Sequence, residues 1–522
     1  MEKESRKSSF IVQGGILAIT GILVRIIGML YRIPMVNIIG SDGNGIYGAA
    51  YNIYNIVLIL SSYGMPMAVS KMISARLVKK EYRNAGQIFK QAIIVAAISG
   101  GIAACVLFFG AGLIENVLYR GIPGTAIPLR ILAPTVFIVA ILGTIRGFFE
   151  GHGTMTQTAV SQFVEQIVNA IVSVAASFAF MRAFSGRADQ AAHGAAGGTL
   201  GTCLGAAAGL AVVVVILIRN AGQYRANLRS DTNSHVLDTR STYRTIMMTI
   251  VPILLGQTFY NISAVIDDII YNNVAIATMP GNMVATTLGN YNTSYSTLIS
   301  IPMGIAGAMA SSLLPSVVNS YEMGSAKAIR KKLRHTVHVT MLIAIPFTIA
   351  LTVLGEPIIR LLFSRYDALQ GDLMLKTGAA AIIFYTLATI TSTTLQGVDR
   401  MRLPVIHSAI ALAIHIPLVI ILLLTTRLGT IALVIGAMAF SVTVFILNLR
   451  SLRRIIGYRQ EYIKTFLIPL ICSCVMGIGA LPVYRGLYIL IRHNFPCLIA
   501  SAFVGIVIYF AGLMYAKKKG LY

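Results

Sequence analysis

The sequence predicts an all-α polytopic membrane protein of about fourteen transmembrane helices, built as two six-helix lobes that are parallel repeats, plus two C-terminal helices. Three observations carry that expectation. The 522 residues are 56% hydrophobic and only 11% charged, whereas soluble domains run at about 25% charged residues. Apolar stretches of about 20 residues, each long enough to cross a hydrocarbon core of roughly 30 Å, recur to the end of the chain. Segments in the two halves also match at a nearly constant offset.

Taken in order, the spans lie near 10–36, 45–69, 87–113, 127–149, 157–181, 193–218, 244–271, 284–312, 335–355, 374–397, 403–425, 429–449, 463–487 and 495–516. The first follows Lys3, Arg6 and Lys7 but is far longer than the apolar core of a cleavable signal peptide, so it is expected to stay. Basic residues then mark alternate loops. Lys71, Arg76, Lys79, Lys80, Arg83 and Lys90 surround the loop after span 2, and Arg219, Arg225, Arg229, Arg240 and Arg244 follow span 6. Lys327, Arg330, Lys331, Lys332 and Arg334 follow span 8; Arg450, Arg453, Arg454, Arg459 and Lys464 follow span 12; Lys517, Lys518 and Lys519 close the chain. Every strong cluster follows an even-numbered span, which puts both termini in the cytoplasm. The net charge of +24 is then topogenic and headgroup-facing, and calls for no nucleic acid.

The repeat is explicit. "YNIYNIVLILSSYGMPMA" (51–68) and "YNTSYSTLISIPMGIAGA" (291–308) align without gaps at an offset of 240, pairing Tyr51/Tyr291, Asn52/Asn292, Leu58/Leu298, Ile59/Ile299, Gly64/Gly304 and Ala68/Ala308. "EGHGTM" (150–155) and "QGVDRM" (396–401) share Gly and Met at an offset of 246. Such an offset spans six helices, so both halves enter the membrane from the same side and are related by an axis along its normal. Residues 1–218 form the N-lobe and 219–243, with the polar run "RSDTNSH", a cytoplasmic linker. Residues 244–450 form the C-lobe, and 451–522 carry the last two spans and the basic tail.

Polar residues inside spans are costly and mark candidate sites. In "RIIGMLYRIP", Arg25 and Arg32 stand seven apart and share one helical face. Three readings stay open for them: pairing with an acid such as Asp267, snorkelling to an interface, or lining an anion site, for which the guanidinium fork is suited. Span 7 carries Gln257, Asn261, Asp267 and Asp268 in "GQTFYNISAVIDDIIYNN"; Gln162, Glu165 and Asn169 recur along span 5. Tyr31, Tyr54 and Tyr260 line the same cavity or simply pack. Arg146 and Glu150 are expected to pair locally at a helix end, and the Gly/Ala run 194–210 to let helices approach closely. Cys105, Cys203, Cys472, Cys474 and Cys497 all lie in apolar contexts and read as buried packing, with no metal site among them. No nucleotide-binding loop, zinc-protease helix, nucleophile elbow or catalytic carboxylate pair occurs, so no enzyme is expected.

Residues 25–77 carry a family resemblance. The R-x-x-G-x-x-x-R-I turn, the I-G-x-x-G-x-G-x-Y-x-x-x-Y loop entering span 2 and the G-M-P-x-A-V-S-K that closes it resemble the polysaccharide-biosynthesis branch of the multidrug/oligosaccharidyl-lipid/polysaccharide exporter superfamily. Within it the chain is similar to the stage V sporulation protein B group of Gram-positive bacteria and to lipid II flippases; Pro302, Gly304 and Leu313–Ser316 match span 8 of the latter. Two positions depart from the Gram-negative pattern: Tyr31-Arg32 stand where those flippases read R-D, and Thr297 stands in place of an arginine. The resemblance implies a monomeric flippase of the bacterial plasma membrane that moves undecaprenyl-pyrophosphate-linked saccharides, lipid II foremost, to the outer leaflet by alternating access. Its partners would be the lipid-linked saccharide and the bilayer. No cofactor is implied, and coupling to a monovalent cation or to the membrane potential stays open. The implied substrate-binding set is Arg25, Arg32, Tyr31, Tyr54, Asn261, Asp267, Asp268 and Glu165. Two other readings compete: a cation-coupled multidrug exporter, which would place carboxylates on the first helices of its N-lobe, and a non-transporting envelope-assembly protein or lipid scramblase. Span 1 has no carboxylate.

The topology is checked by labelling single cysteines introduced in 219–243 and in 366–372: the two segments should label from opposite sides of the membrane. Labelling of both from outside the cell would overturn the fourteen-span arrangement.

Overall fold

In hydrocarbon every backbone N–H and C=O has to be paired inside its own segment. The chain answers with helices joined by short turns. The computed structural model describes residues 2–62, 65–231, 238, 243–244, 248, 262–263, 265–277 and 281–519; the side chains of 2–19, 22, 25, 29, 62, 67, 78, 281, 282, 308, 311 and 315 lie outside that description. The chain packs as two units, Met1–Thr286 and Thr287–Tyr522.

The first unit opens with α1 (Glu2–Ser62), 61 residues that would measure roughly 90 Å as one straight helix. It is broken at Gly40, whose φ of 71° and ψ of −177° suit only a residue without Cβ, so spans 1 and 2 meet there. Then come α2 (Met65–Val78), α3 (Tyr82–Leu118), α4 (Ala126–Gly151), α5 (Met155–Ala183) and α6 (Gln190–Arg219). The helices α5 and α6 approach at backbone distance. A Cβ on Gly197 would sit 2.5 Å from Ser177 N, and one on Gly205 would sit 2.7 Å from Glu165 O. The Gly/Ala run thus packs helices closely, as its composition predicts.

The first residues of the 219–243 linker dock on the same unit. Helix α7 (Ala221–Arg229) places Tyr224 with its ring 5.1 Å from that of Phe148, and Asp231 Oδ2 accepts from Arg83 N at 2.7 Å. A carboxylate at the start of α3 meets the positive end of that helix. Nearby, Asn84 and Arg76 donate to Glu81 at 3.0 and 2.9 Å, and these bonds hold its carboxyl below the usual carboxylate range.

In the second unit α8 (Gly281–Asn290), which contains the boundary, continues through a π-helical turn (Tyr291–Thr297) into α9 (Leu298–Glu322). Next come α10 (Ala326–Leu362), α11 (Ala368–Gly378), α12 (Ala381–Gly397), α13 (Arg402–Thr425) and α14 (Thr430–Ile456). A second π turn (Ile463–Leu467) leads into α15 (Ile468–Ile491), and α16 (Asn494–Lys518) ends the described chain. Helix α10 kinks at Leu354, one turn ahead of Pro357, whose ring displaces the carbonyl behind it. The Glu356 N–H then donates to Asp372 Oδ1 at 3.1 Å. Helices α11 and α12 are bent by 51° across a short break. The last helix is tied back by Tyr509, which donates to Leu342 O of α10 at 2.9 Å.

Among the described residues ten helices are long and apolar enough to cross a membrane, or eleven if the bent pair is counted as one span. Spans 1 and 2 are joined in α1, and much of span 7 lies outside the described residues. The matched glycines do the same work in each unit. A Cβ on Gly151 would sit 2.9 Å from Ile73 of α2, and one on Gly397 2.7 Å from Val317 of α9, each the stretch that follows the matched tyrosine. The cysteines divide: Cys472 and Cys497 are buried and Cys203 half-buried, but Cys105 and Cys474 are exposed on the outer faces of their helices. Buried packing therefore describes only part of the set, because apolar context does not distinguish a core-facing from an outward-facing position on a membrane helix.

Gly201→Val should lower the stability of the detergent-solubilised protein by about 1–3 kcal/mol through overpacking of α5 on α6. Gly222→Ala, where a Cβ meets open space, should not. Thermal unfolding of the two variants checks the contrast.

Candidate functional site

The part of α1 beyond Gly40 carries two different faces. Tyr47, Tyr51 and Tyr54 recur at i, i+4 and i+7 and form a ladder, with ring centroids 5.4 Å apart at each step. Gly45 and Asn52, also seven apart, occupy another face. The two faces meet different neighbours.

The tyrosine face looks to the first half of α1 and to α5. Asn169 Nδ2 donates to Tyr31 Oη at 3.3 Å, and the Ser173 hydroxyl lies 2.9 Å from Asn169 Oδ1 and from Gly198 O. Arg32 is half-buried, and its Nε is buried without a hydrogen bond among the described residues. Both Arg32 and Glu165 act electrostatically on Tyr51, so these groups share one neighbourhood. Glu165 is ion-paired: Arg146 Nη2 donates to Glu165 Oε2 at 2.7 Å. The expected local pairing of Arg146 with Glu150 is thereby corrected. The reason is geometric, since α6 packs against both α4 and α5 and the arginine reaches the glutamate beside Gly209 of α6.

The other face holds the acids of span 7. Asn52 Nδ2 donates to Asp268 Oδ2 at 2.6 Å, Thr286 Oγ1 donates to Asp42, and a Cβ on Gly45 would run into the Ala285 carbonyl. Asn272 accepts from Gly121 N at 2.9 Å and donates to Leu118 O at 3.0 Å. Asp267 is buried beside Asp268. The segment expected to open the C-lobe therefore makes these described bonds with helices of the N-lobe, and Asp268 stands on a different face of α1 from Tyr54. Of the sequence-selected residues, Tyr31, Arg32, Tyr54 and Glu165 come together and Asp267 and Asp268 form a second group. The side chain of Arg25, and Gln257, Tyr260 and Asn261 altogether, lie outside the described residues, as does any pairing of Arg25 with Asp267.

With this geometry in place, comparison with known proteins is direct. A sequence profile described as "Polysaccharide biosynthesis protein" matches residues 11–320, well over half of the chain. The chain belongs to that family. A second profile, MatE, matches residues 252–421. The chain is 25% identical over 493 residues to the lipid II flippase MurJ of Bacillus subtilis (strain 168), covering 90% of this chain and 88% of the relative. It is 20% identical over 474 residues to stage V sporulation protein B of the same organism, covering 90% and 89%. A solved lipid II flippase MurJ in an inward closed conformation shares the fold, with a TM-score of 0.67 at 15% identity over 96% of this chain and 99% of that one. The resemblance carried by residues 25–77 is thus confirmed at the level of the family.

Within this family member, sequence reasoning missed Arg146 as the partner of Glu165, and also Asn52, Ser161 and Asn272. For Asn52 a signal existed, because it is matched by Asn292 in the repeat. Nothing in local sequence marks a partner 216 residues away.

Asn52→Leu should strand the Asp268 carboxylate and cost about 1.5–3 kcal/mol, the scale of a hydrogen bond to a charged group. Adding Asp268→Leu should recover much of that loss. Thermal unfolding of the single and double variants in detergent measures both.

Proposed function

We propose that this protein is a flippase that moves polyprenyl-pyrophosphate-linked saccharides, lipid II foremost, from the inner to the outer leaflet by alternating access. The carrying observation is Arg32, whose buried Nε makes no hydrogen bond among the described residues. A buried donor left without an acceptor costs about 1–3 kcal/mol. A pyrophosphate oxygen relieves that cost with matched charge and fork geometry. Arg25 lies on the same face by sequence and takes a second contact with the headgroup. A pyrophosphate entering such a place loses much of its hydration, and the guanidiniums replace it. Family membership and the flippase relative support the same reading. The proposal includes a monomer in the bacterial plasma membrane, with cytoplasmic termini and transport driven by a cation gradient or the membrane potential.

The MatE match favours a second reading, cation-coupled multidrug export. Proteoliposomes loaded with labelled lipid II, with and without an ion gradient, separate the two. Arg25→Ala should abolish flipping while the protein remains folded, Arg25→Lys should leave a partial rate, and Arg32→Ala should be milder than Arg25→Ala. Wild-type flipping in Arg25→Ala, or gradient-driven export of a cationic dye with no movement of lipid II, would overturn the proposal.

A further inference from the structure

Glu165 lies among groups that the proposed reading gives to an anion, and a bare carboxylate there would repel one. Its partner is built with care from three helices. Arg146 of α4 donates through Nη2 to Glu165 Oε2 at 2.7 Å and to Ser161 Oγ, also at 2.7 Å. Arg146 Nε lies 3.3 Å from the same hydroxyl, which donates in turn to Gly209 O of α6 at 2.8 Å. Position 209 is tight: a Cβ there would come within 3.3 Å of both Arg146 Nη2 and Glu165 Oε2. The arginine side chain is 13% exposed and the glutamate 29%, so the acid is the more open member of the pair. Glu165 acts on Tyr51 and Tyr54, and Arg32 acts on Tyr51 as well.

We propose that Arg146 is a specificity-determining positioning residue: by holding Glu165 in an ion pair it keeps the neighbourhood of Tyr31, Arg32 and Tyr51 selective for anionic headgroups, and without it the same neighbourhood loses that selectivity. This deepens the flippase reading and rests on it. The physical basis is the net charge of the neighbourhood. With the pair intact that charge is positive, from Arg32 and, in the proposed reading, Arg25. When Arg146 is lost, the uncompensated Glu165 carboxylate removes one unit of it, which weakens the attraction of an anion and lessens the repulsion of a cation. A purely structural tether would change stability but not the ratio of anion to cation affinity.

The test uses the full chain in nanodiscs, with farnesyl pyrophosphate as anionic probe and tetraphenylphosphonium as cationic probe. Arg146→Met should lose affinity for the pyrophosphate about tenfold or more and gain affinity for the cation by a similar factor, the scale of a like charge placed against a ligand. The double variant Arg146→Met with Glu165→Gln should lose the gained cation binding and regain pyrophosphate binding. Should Arg146→Met not fold, Glu165→Gln alone still decides, because it leaves Arg146 uncompensated and should raise the ratio of pyrophosphate to cation affinity several-fold. An unchanged ratio in a folded Arg146→Met or in Glu165→Gln would overturn the proposal. Failure of the flippase reading shows separately, as wild type binding farnesyl pyrophosphate no better than farnesol while the cation arm still reports on Arg146.

Discussion

A carboxylate taken out of water has to be neutralised or bonded, and that requirement shapes the helices around Glu165, Asp268 and Asp372. Glu165 is met by Arg146 at 2.7 Å, Asp268 by the Asn52 amide at 2.6 Å, and Asp372 by Lys376 at 2.5 Å together with the Glu356 N–H. Each solution draws on a different helix or a different turn, so the acids act as fixed points of packing. Removing one partner from such a pair costs far more than replacing both, because the remaining charge stays buried. The glycines of α6 are part of the same arrangement. They bring α5 close enough for Ser161 to bond the Gly209 carbonyl, and leave space in which the Arg146–Glu165 pair fits.

The helix beyond Gly40 gains its importance from having two unlike faces. Its tyrosine ladder borders Arg32, Tyr31 and Glu165, while Asn52 and Gly45 hold the acid-bearing segment and the Ala285 backbone. Any displacement of this one helix changes both environments together.

The second unit also holds a network of uncharged polar groups. His407 Nδ1 is 2.7 Å from Asn448 Oδ1, and Ser451 Oγ is 3.3 Å from His407 Nε2. The Asn448 amide reaches Ser392 Oγ at 2.8 Å and Thr391 Oγ1 at 3.1 Å. Because that amide nitrogen faces hydroxyls and the Ala388 carbonyl, its oxygen is left to accept from the imidazole Nδ1. The network joins α12, α13 and α14.

The sequence by itself determined the class of fold and the family. Each follows from local quantities: the length of an apolar run against the thickness of hydrocarbon, and the short motifs of residues 25–77. It also singled out Tyr31, Arg32, Tyr54 and Glu165, because a polar group at membrane depth stands out in any linear reading. Only the tertiary structure decided how they combine. Arg146 lies near a helix end in sequence, so a neighbour four residues away looked like its natural partner; the packing of α6 against both α4 and α5 gave it Glu165 instead. Asp267 and Asp268 looked like members of the same set as Tyr54, yet one residue of helical register, about 100° of rotation, separates Asn52 from the tyrosine face. Pair formation across 216 residues, as between Asn52 and Asp268, depends on which helix faces which, and that information is in no single stretch of chain.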